Sequence, residues 1–543
     1  MTNLILQTEA QQNCYIFSGD LVIDDLLSMI NRKFSCSLEP AEKFRVVYYD
    51  TFDWRLCRKD EALVLRQYGP RQKLSLEKLS TARAKDIVPL SEATAKPLAV
   101  DDLPSAIRES ISPTVAMRAL LPVVKVDGEV QKLLLRDKHD KVVVRLSLEK
   151  NSTVSAEHGR KKKFPERIII NPVKGYETEF KNLRNILNKS SALTPCRLNL
   201  LDMALAGIGR HTCDYSSKIK IKFNPDIQSV QAVKSILQHL LTAMEMNEPG
   251  MLARLDTEFL HDYRIAVRRS RSILSQMKGV FPADRLEFFK REFAWLGAVT
   301  TPARDLDVYL LEFEKLQNRL APEMRDALLP FKDFLQEQQE YAYKELVAAV
   351  TSERYKKLKQ ALNEFFKSNS DEVDKKAPDA KKDIHRQANE RIWRSYKRVK
   401  READRLTPDS PAQDFHELRK SCKKLRYLLE FFQFFYPEKD IGKLIKQLKI
   451  LQDNLGEFQD MDVQSIALKS FAKMMEEKGI NNADTYMAMG VLADGMEQRK
   501  NELQHAFIDC YKKFSRKKYQ KLFKKLFKPD MKPEQELLHE SIG

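Results

Sequence analysis

Two segments of this chain carry nearly the same pattern of charge. HDYRIAVRRSR runs from 261 to 271 and HELRKSCKKLR from 416 to 426, so a His, an Arg three residues on and the cations beyond recur 155 residues apart. The same offset aligns Phe281 with Tyr436 and Arg291 with Lys446. Each copy is followed by a Leu-Gly pair (Leu296-Gly297, Leu455-Gly456) and then by ARDLDV at 303–308 or QDMDV at 459–463. SERYKKLKQAL (352–362) and SRKKYQKLFKKL (515–526) are weaker echoes closing each copy. From about residue 223 apolar residues recur at three and four and Gly is sparse, which predicts helix after helix to residue 528. A duplicated helical unit restricts the architecture to two related bundles, 223–368 and 384–528, joined by a solvated linker at 369–383 and followed by a tail at 529–543.

On a helix of 100° per residue, His261, Arg264, Arg268 and Arg271 fall within an arc of roughly 80°. His416, Arg419, Lys423 and Arg426 fall on the equivalent arc of a second helix, with Arg269 and Lys424 flanking the columns. The opposite sides carry Ala266, Val267, Ile273, Leu274 and Met277 in one copy, and Leu418, Cys422, Leu425, Leu428 and Leu429 in the other. Each helix can therefore bury one side while aiming a column of cations outward. Like charges four apart cost a few tenths of a kcal/mol per pair, and no acid of the two segments lies on either arc. A bound polyanion is the simplest compensation, because each phosphate would take charge-assisted hydrogen bonds from Arg or Lys. The plain alternatives are a solvated basic surface and, for each His alone, a buried group capping a bundle. Repetition of the same His and cation spacing favours the site. Asp305/Asp307 and Asp460/Asp462 read as helix caps or as ion-pair partners of the cations, with metal ligation a third reading.

A further stripe, Arg391, Arg394, Arg398, Arg401 and Arg405, shares one helical face and either widens the site as an accessory or solvates a bundle edge. The basic amphipathic stretch YKKFSRKKYQKLFKKLFK (511–528) reads as a closing bundle helix in preference to a membrane-surface one.

Residues 1–222 differ in character. FRVVYYDT (44–51), ALVLRQY (62–68), RQKLSLEKL (71–79), VQKLLLRD (130–137) and KVVVRLSLEK (141–150) are β-branched or alternate apolar with polar, as strands do. EFKNLRNILNKSS (179–191) has helical spacing, and HGRKKKFPE (158–166) reads as an exposed basic turn. The formal net charge of the 543 residues is +17, but residues 1–222 contribute +10 and residues 223–543 only +7. Net charge therefore says less than its placement. Seven scattered cysteines without a CxxC pair argue against zinc and for a reducing, cytoplasmic setting. No run reaches the roughly 18 apolar residues of a membrane span.

The motif H-x-x-R-x-x-x-[RK]-[RK]-x-R, its repetition and the acidic segment after each copy resemble the CHAD family, named for a conserved histidine in an α-helical domain, across about 223–528. The resemblance implies two similar helical bundles about a pseudo-twofold axis, which bind inorganic polyphosphate and associate with polyphosphate granules in prokaryotes. Carried over by position, the implied ligands are His261, Arg264, Arg268, Arg269, Arg271 and Arg291, with His416, Arg419, Lys420, Lys423, Lys424, Arg426 and Lys446. GAVTTPARD (297–305) is four residues longer than GEFQD (456–460), so the halves are expected to diverge there.

YYDTFDWRL (48–56), ALVLR (62–66), KLSLEK (73–78) and SSKIK (216–220) resemble landmarks of the CYTH family, the triphosphate-tunnel domain, an α+β fold built on an antiparallel β-barrel. Its enzymes use an N-terminal ExExK strand and later paired acids to hold metal ions. Here the opening strand LILQTEA offers Glu9 alone, ERIIINP (166–172) lacks paired carboxylates, and Val64 replaces an Arg, although Arg66 and Lys78 remain. The resemblance therefore implies a degenerate, non-catalytic barrel without catalytic residues, metal or cofactor. The expectation is a polyphosphate-binding protein. The alternatives are a metal-dependent triphosphatase and a nucleic-acid-binding module; the second is disfavoured because aromatics such as Tyr263 and Tyr427 sit off the cationic arcs.

Overall fold

A computed structural model describes residues 13–17, 23–81, 84–90, 96–154, 161–196, 198–217, 219, 221–224, 226–368 and 376–529. The strand expected at 4–10 with Glu9 lies outside them, as do residues 158–160, 369–375 and 530–543 and the landmark lysines 218 and 220. The chain divides into two compact units, Met1–Ser216 and Ser217–Gly543.

Among the described residues, the first unit is an antiparallel sheet of eleven strands with helices on it. The central strands are β3 (Glu42–Thr51), β4 (Glu61–Tyr68), β5 (Arg71–Lys78), β7 (Leu120–Arg136), β8 (Val142–Val154) and β10 (Arg167–Pro172). Pairing runs β11 (Leu193–Pro195), β1 (Cys14–Phe17), β10, β8, β7, β3, β4, β5 and β6 (Ala84–Leu90). Within the expected basic turn, Lys161–Lys163 instead form a short exposed strand, β9, because its backbone pairs with the end of β8. The period of two along β3 sends Val46 and Tyr48 to one core and Val47 and Tyr49 to another. The first core also takes Val64, Val126 and Leu200, Leu201, Ala204 and Leu205 of α4 (Leu200–Gly207), which is capped by Asn199. At the end of β3 the buried carboxylate of Asp50 accepts from the backbone N–H groups of Thr51, Leu56 and Cys57, fixing the turn into a 3-10 segment, Cys57–Lys59. Burial pushes that carboxyl up to about 7 against those hydrogen bonds.

The second unit is helical. In its first half, α5 (Ser229–Leu252), α6 (Thr257–Gln276) and α7 (Ala283–Leu311) are succeeded by α8 (Phe313–Gln317), α9 (Leu329–Thr351) and α10 (Glu353–Lys367). The second half holds α11 (Ile384–Ala403), α12 (Ala412–Phe432), α13 (Glu438–Glu477), α14 (Ala483–Phe514) and α15 (Lys517–Phe527). The helices α5, α6 and α7 begin 155 residues before α11, α12 and α13 respectively. The basic helices begin one turn before each His. Asp256 caps the first, accepting from the N–H groups of Glu258 and Phe259, and Pro411 precedes the second. The ten apolar residues expected to face inward are all buried, and each Val, Leu, Ile or Met among them stabilises by about 1.5–3 kcal/mol relative to exposure.

The described part of the linker, 376–383, is solvated only in part: Lys376, Pro378, Lys381 and Lys382 are exposed. Ala377 and Ala380 are buried, and the carbonyls of Ala380 and Lys382 accept from the first N–H groups of α5. A segment without apolar periodicity is held here because it satisfies donors that a helix start leaves open. The closing reading of the C-terminal stretch holds: Phe523 stacks on Tyr396 with ring centroids 4.0 Å apart, and Phe527 meets Tyr436 edge-on.

Candidate functional site

α6 and α12 pack against each other, so the two cationic columns belong to one surface of the second unit. Arg268 of α6 lies within the electrostatic reach of both Arg419 and Lys423 of α12. Burial first, then Arg419 and Arg268, push the Lys423 ammonium down to about 8, with Asp460 opposing and Arg426 adding to the push. Burial likewise holds Arg264 down to about 10; Asp305 opposes this, while Arg268, Arg304 and Arg271 reinforce it. Arg419 is lowered by burial and by Arg268, against Asp460. Cations crowded in this way are the electrostatic condition for taking up an anion.

The inner arginines are held by the next helix of each half. Arg264 Nη1 donates to the Thr300 and Thr301 hydroxyls at 2.8 and 2.9 Å and to the Gly297 carbonyl at 3.2 Å. Arg419 donates to Gln459, and Arg426 to Gln452 at 2.8 Å. Several donors beside the column stay unsatisfied: Arg419 Nε, Arg426 Nε and Gln452 Nε2 are buried without a hydrogen-bond partner, although Glu430 lies 3.2 Å from Arg426 Nε at an unsuitable angle. Unmade bonds of this kind are costly while they stay buried.

The two arcs lack acids of their own segments, but neighbouring residues supply them. Asp460 stands 3.6 Å from Arg419, Asp462 stands 3.3 Å from His416 Nε2, and Lys500 reaches Asp462 at 3.1 Å. Asp305 faces Arg264. Asp307 is buried and accepts from Gln339 and Tyr343 at 2.7 and 2.9 Å. None of the four caps a helix, because all lie well inside α7 or α13. The ion-pairing reading holds for Asp460 and Asp462, whereas Asp305 acts on Arg264 only as a nearby charge.

The expected divergence after Gly297 is also corrected. Asp305 and Asp460 are 155 residues apart, like His261 and His416, and α7 and α13 run through this stretch without a break. The two Leu-Gly pairs are not equivalents. Gly297 lies beside Arg271, as Gln452 at the constant offset lies beside Arg426. Gly456 lies beside Arg419, as Thr301 lies beside Arg264. The visible Leu-Gly similarity masked the true register. Following the offset would have found the missed residues Thr301, Arg304, Gln452 and Gln459.

Other implied ligands are placed differently. Arg269 donates to Glu430, which also pairs with Arg426, so Arg269 ties α6 to α12 beside the column. Lys420 pairs with Glu417 at 2.7 Å, and the exposed Arg291 pairs with Glu292 at 3.0 Å. His261 is half-buried, Lys424 is half-buried and Lys446 is exposed. From the accessory stripe Arg391 departs, donating to Lys278 O and Asp379. Arg394 and Arg398 pair with Glu390 and Glu402 on their own helix and, with Lys397, Arg401 and Arg405, border an open concavity of about 560 Å³.

Inside the first unit, Arg66 forms a two-pronged pair with Glu77, and Arg167 pairs with Glu149 at 2.7 Å, around the buried Tyr48. Val64 lies with Tyr48 and Val126 in the apolar core that α4 completes. Lys78 is exposed. Among the described residues no group of three or more His, Cys, Asp or Glu is arranged to hold a metal ion.

The helical unit defines the class: residues 235–469 match the family described as CHAD domain. This chain carries a CHAD domain, preceded by an antiparallel sheet domain. The CHAD domain from the plant Ricinus communis is 24% identical, covering 54% of this chain and 94% of that one, with a TM-score of 0.46. PptA from Streptomyces chartreusis is 15% identical over 53% of this chain and all of its own, with a TM-score of 0.42. A putative adenylyl cyclase with a dominant triphosphatase activity, HpAC1 from Hippeastrum, is 14% identical over 38% of this chain and 98% of its own, with a TM-score of 0.26. No curated protein matches the chain.

Proposed function

We propose that this protein binds inorganic polyphosphate along the facing cations of α6 and α12, in the cytoplasm and at polyphosphate granules. One observation carries the reading: Arg268 of one half crowds Arg419 and Lys423 of the other. A flexible chain of phosphates supplies repeated charge at the spacing such a surface needs, and each charge-assisted bond contributes about 1.5–3 kcal/mol. Tyr263 and Tyr427 are buried, which removes them as base-stacking platforms and disfavours a nucleic acid. In the sheet domain, Glu77 and Glu149 are each engaged by an arginine, an arrangement that competes with the metal binding a triphosphatase would require.

The test is retention of the full chain on long-chain polyphosphate across a salt series. The double variant Arg268→Glu, Lys423→Glu is expected to lose retention while keeping its helical circular dichroism and melting temperature. Unchanged retention by that folded variant overturns the proposal. Phosphate release from tripolyphosphate by the same protein with magnesium or manganese would establish the triphosphatase reading instead.

A further inference from the structure

The seven cysteines are far apart in sequence, yet four of them meet in two pairs within the first unit. The register of β1 and β11 pairs Tyr15 with Pro195, and one step out Cys196 N donates to Cys14 O at 2.8 Å. Cys57 opens the 3-10 segment after β3, and its thiol is close enough to Cys213, in the chain after α4, for each to shift the other's acidity. Neighbouring contacts fix this second pair independently. Trp54 Nε1 donates to Asp214 Oδ1 at 2.8 Å and Arg58 Nη2 to Tyr215 O at 3.0 Å, so the residues bracketing Cys57 grip those that follow Cys213. Asp50 accepts from Cys57 N at 2.8 Å, holding the other side.

The two pairs differ in access. Cys196 is buried against Leu198 O and Met203, whereas Cys213 is exposed and Cys57 half-buried. Cys213 also has φ +58°, a left-handed conformation few non-glycine residues adopt. The charged groups facing the pair are Arg58, Asp50, Asp202 and Asp214. The neighbouring Cys57 thiol and the guanidinium of Arg58 draw the Cys213 thiol down to about 6, against burial and Asp214, while Cys57 is pushed up. An accessible thiolate beside a cation and a second thiol is the setting of a reactive cysteine.

We propose that Cys57 and Cys213 form a dithiol site that closes to a disulfide by exchange with a small-molecule disulfide. The Cys213 thiolate attacks one sulfur of that disulfide, whose S–S bond breaks and releases one thiol. Cys57, after giving its proton to water, attacks Cys213 Sγ and expels the second thiol. Two protein thiols are oxidised by two electrons and one small disulfide is reduced to two thiols. The link joins positions 156 residues apart and fastens the chain after α4 to the turn after β3.

The reduced full chain is incubated with glutathione disulfide, quenched with an alkylating agent, digested and mapped. A Cys57–Cys213 linked peptide that dithiothreitol reverses is expected, and Cys57→Ser should instead leave glutathione on Cys213. Failure of the linked peptide to form in folded protein at any excess of glutathione disulfide overturns the proposal. The pH profile of Cys213 alkylation in the unmutated chain is a second reading that needs no variant. A midpoint near 6 supports the site, and a midpoint near the ordinary thiol value of about 8.5 overturns it.

Discussion

Lys423 sits where the two columns meet, and its lowered value brings its titration to a mildly alkaline pH. It is charged below about 8 and loses its proton in the free protein above that, so polyphosphate affinity should fall as pH rises through this point. Lys423→Arg should bind with little change between pH 7 and about 9.5, since arginine keeps its charge; titrations in parallel check this. Stability moves the other way. The unfolded chain keeps this lysine protonated up to about 10.4, so it holds more protons between the two values and stability should rise with pH across that window. Asp460 acts oppositely, as a resident anion 3.6 Å from Arg419. Asp460→Asn removes a competitor for the phosphates and should tighten binding about two- to five-fold, in line with an exposed pair worth up to ~1 kcal/mol. Weaker binding by that variant would show that Asp460 positions Arg419.

At the scale of elements, the two basic helices are alike in face but differ in how they start. The N-terminal turn of α6 depends on the Asp256 carboxylate, whereas no side chain caps α12 after Pro411. Asp256→Ala should therefore cost about 1 kcal/mol of stability, read as a lower urea midpoint with an unchanged slope. α7 and α13 serve as racks: their hydroxyl, amide and carbonyl groups hold Arg264, Arg419 and Arg426 in place. Long side chains with little freedom left lose less entropy on meeting a ligand.

Across the whole molecule, the duplication is closed by α10 and α15, each with a basic outer face and buried aromatics. Phe523 has no exposed surface and stacks on Tyr396 of α11. Phe523→Ala should destabilise the protein by about 3–5 kcal/mol, visible as a large drop in melting temperature. A helix serving only to lie on a membrane surface would show no such loss. The sheet domain follows a different rule, neutralising its interior cations with its own glutamates and filling one core with α4. Its resemblance in sequence is carried by positions that also fold it: Asp50 of the YYDT stretch holds the turn after β3 together.

The sequence alone determined the duplication, the helical and sheet-rich halves, and the buried side of each basic helix. Periodicity is a local property, and a 155-residue offset is visible wherever both copies keep a side chain type. It also led to one false register, because two Leu-Gly pairs looked equivalent while each glycine lay beside a different arginine. Tertiary structure alone decided that α6 and α12 lie together, that Arg269 and Glu430 tie them, and that Asp460 and Asp462 face the cations. It also brought Cys57 to Cys213. Those relations join residues from separate elements, and pairing across a fold leaves no periodic trace in a single chain. The two cationic columns were legible one at a time; only packing made them one surface.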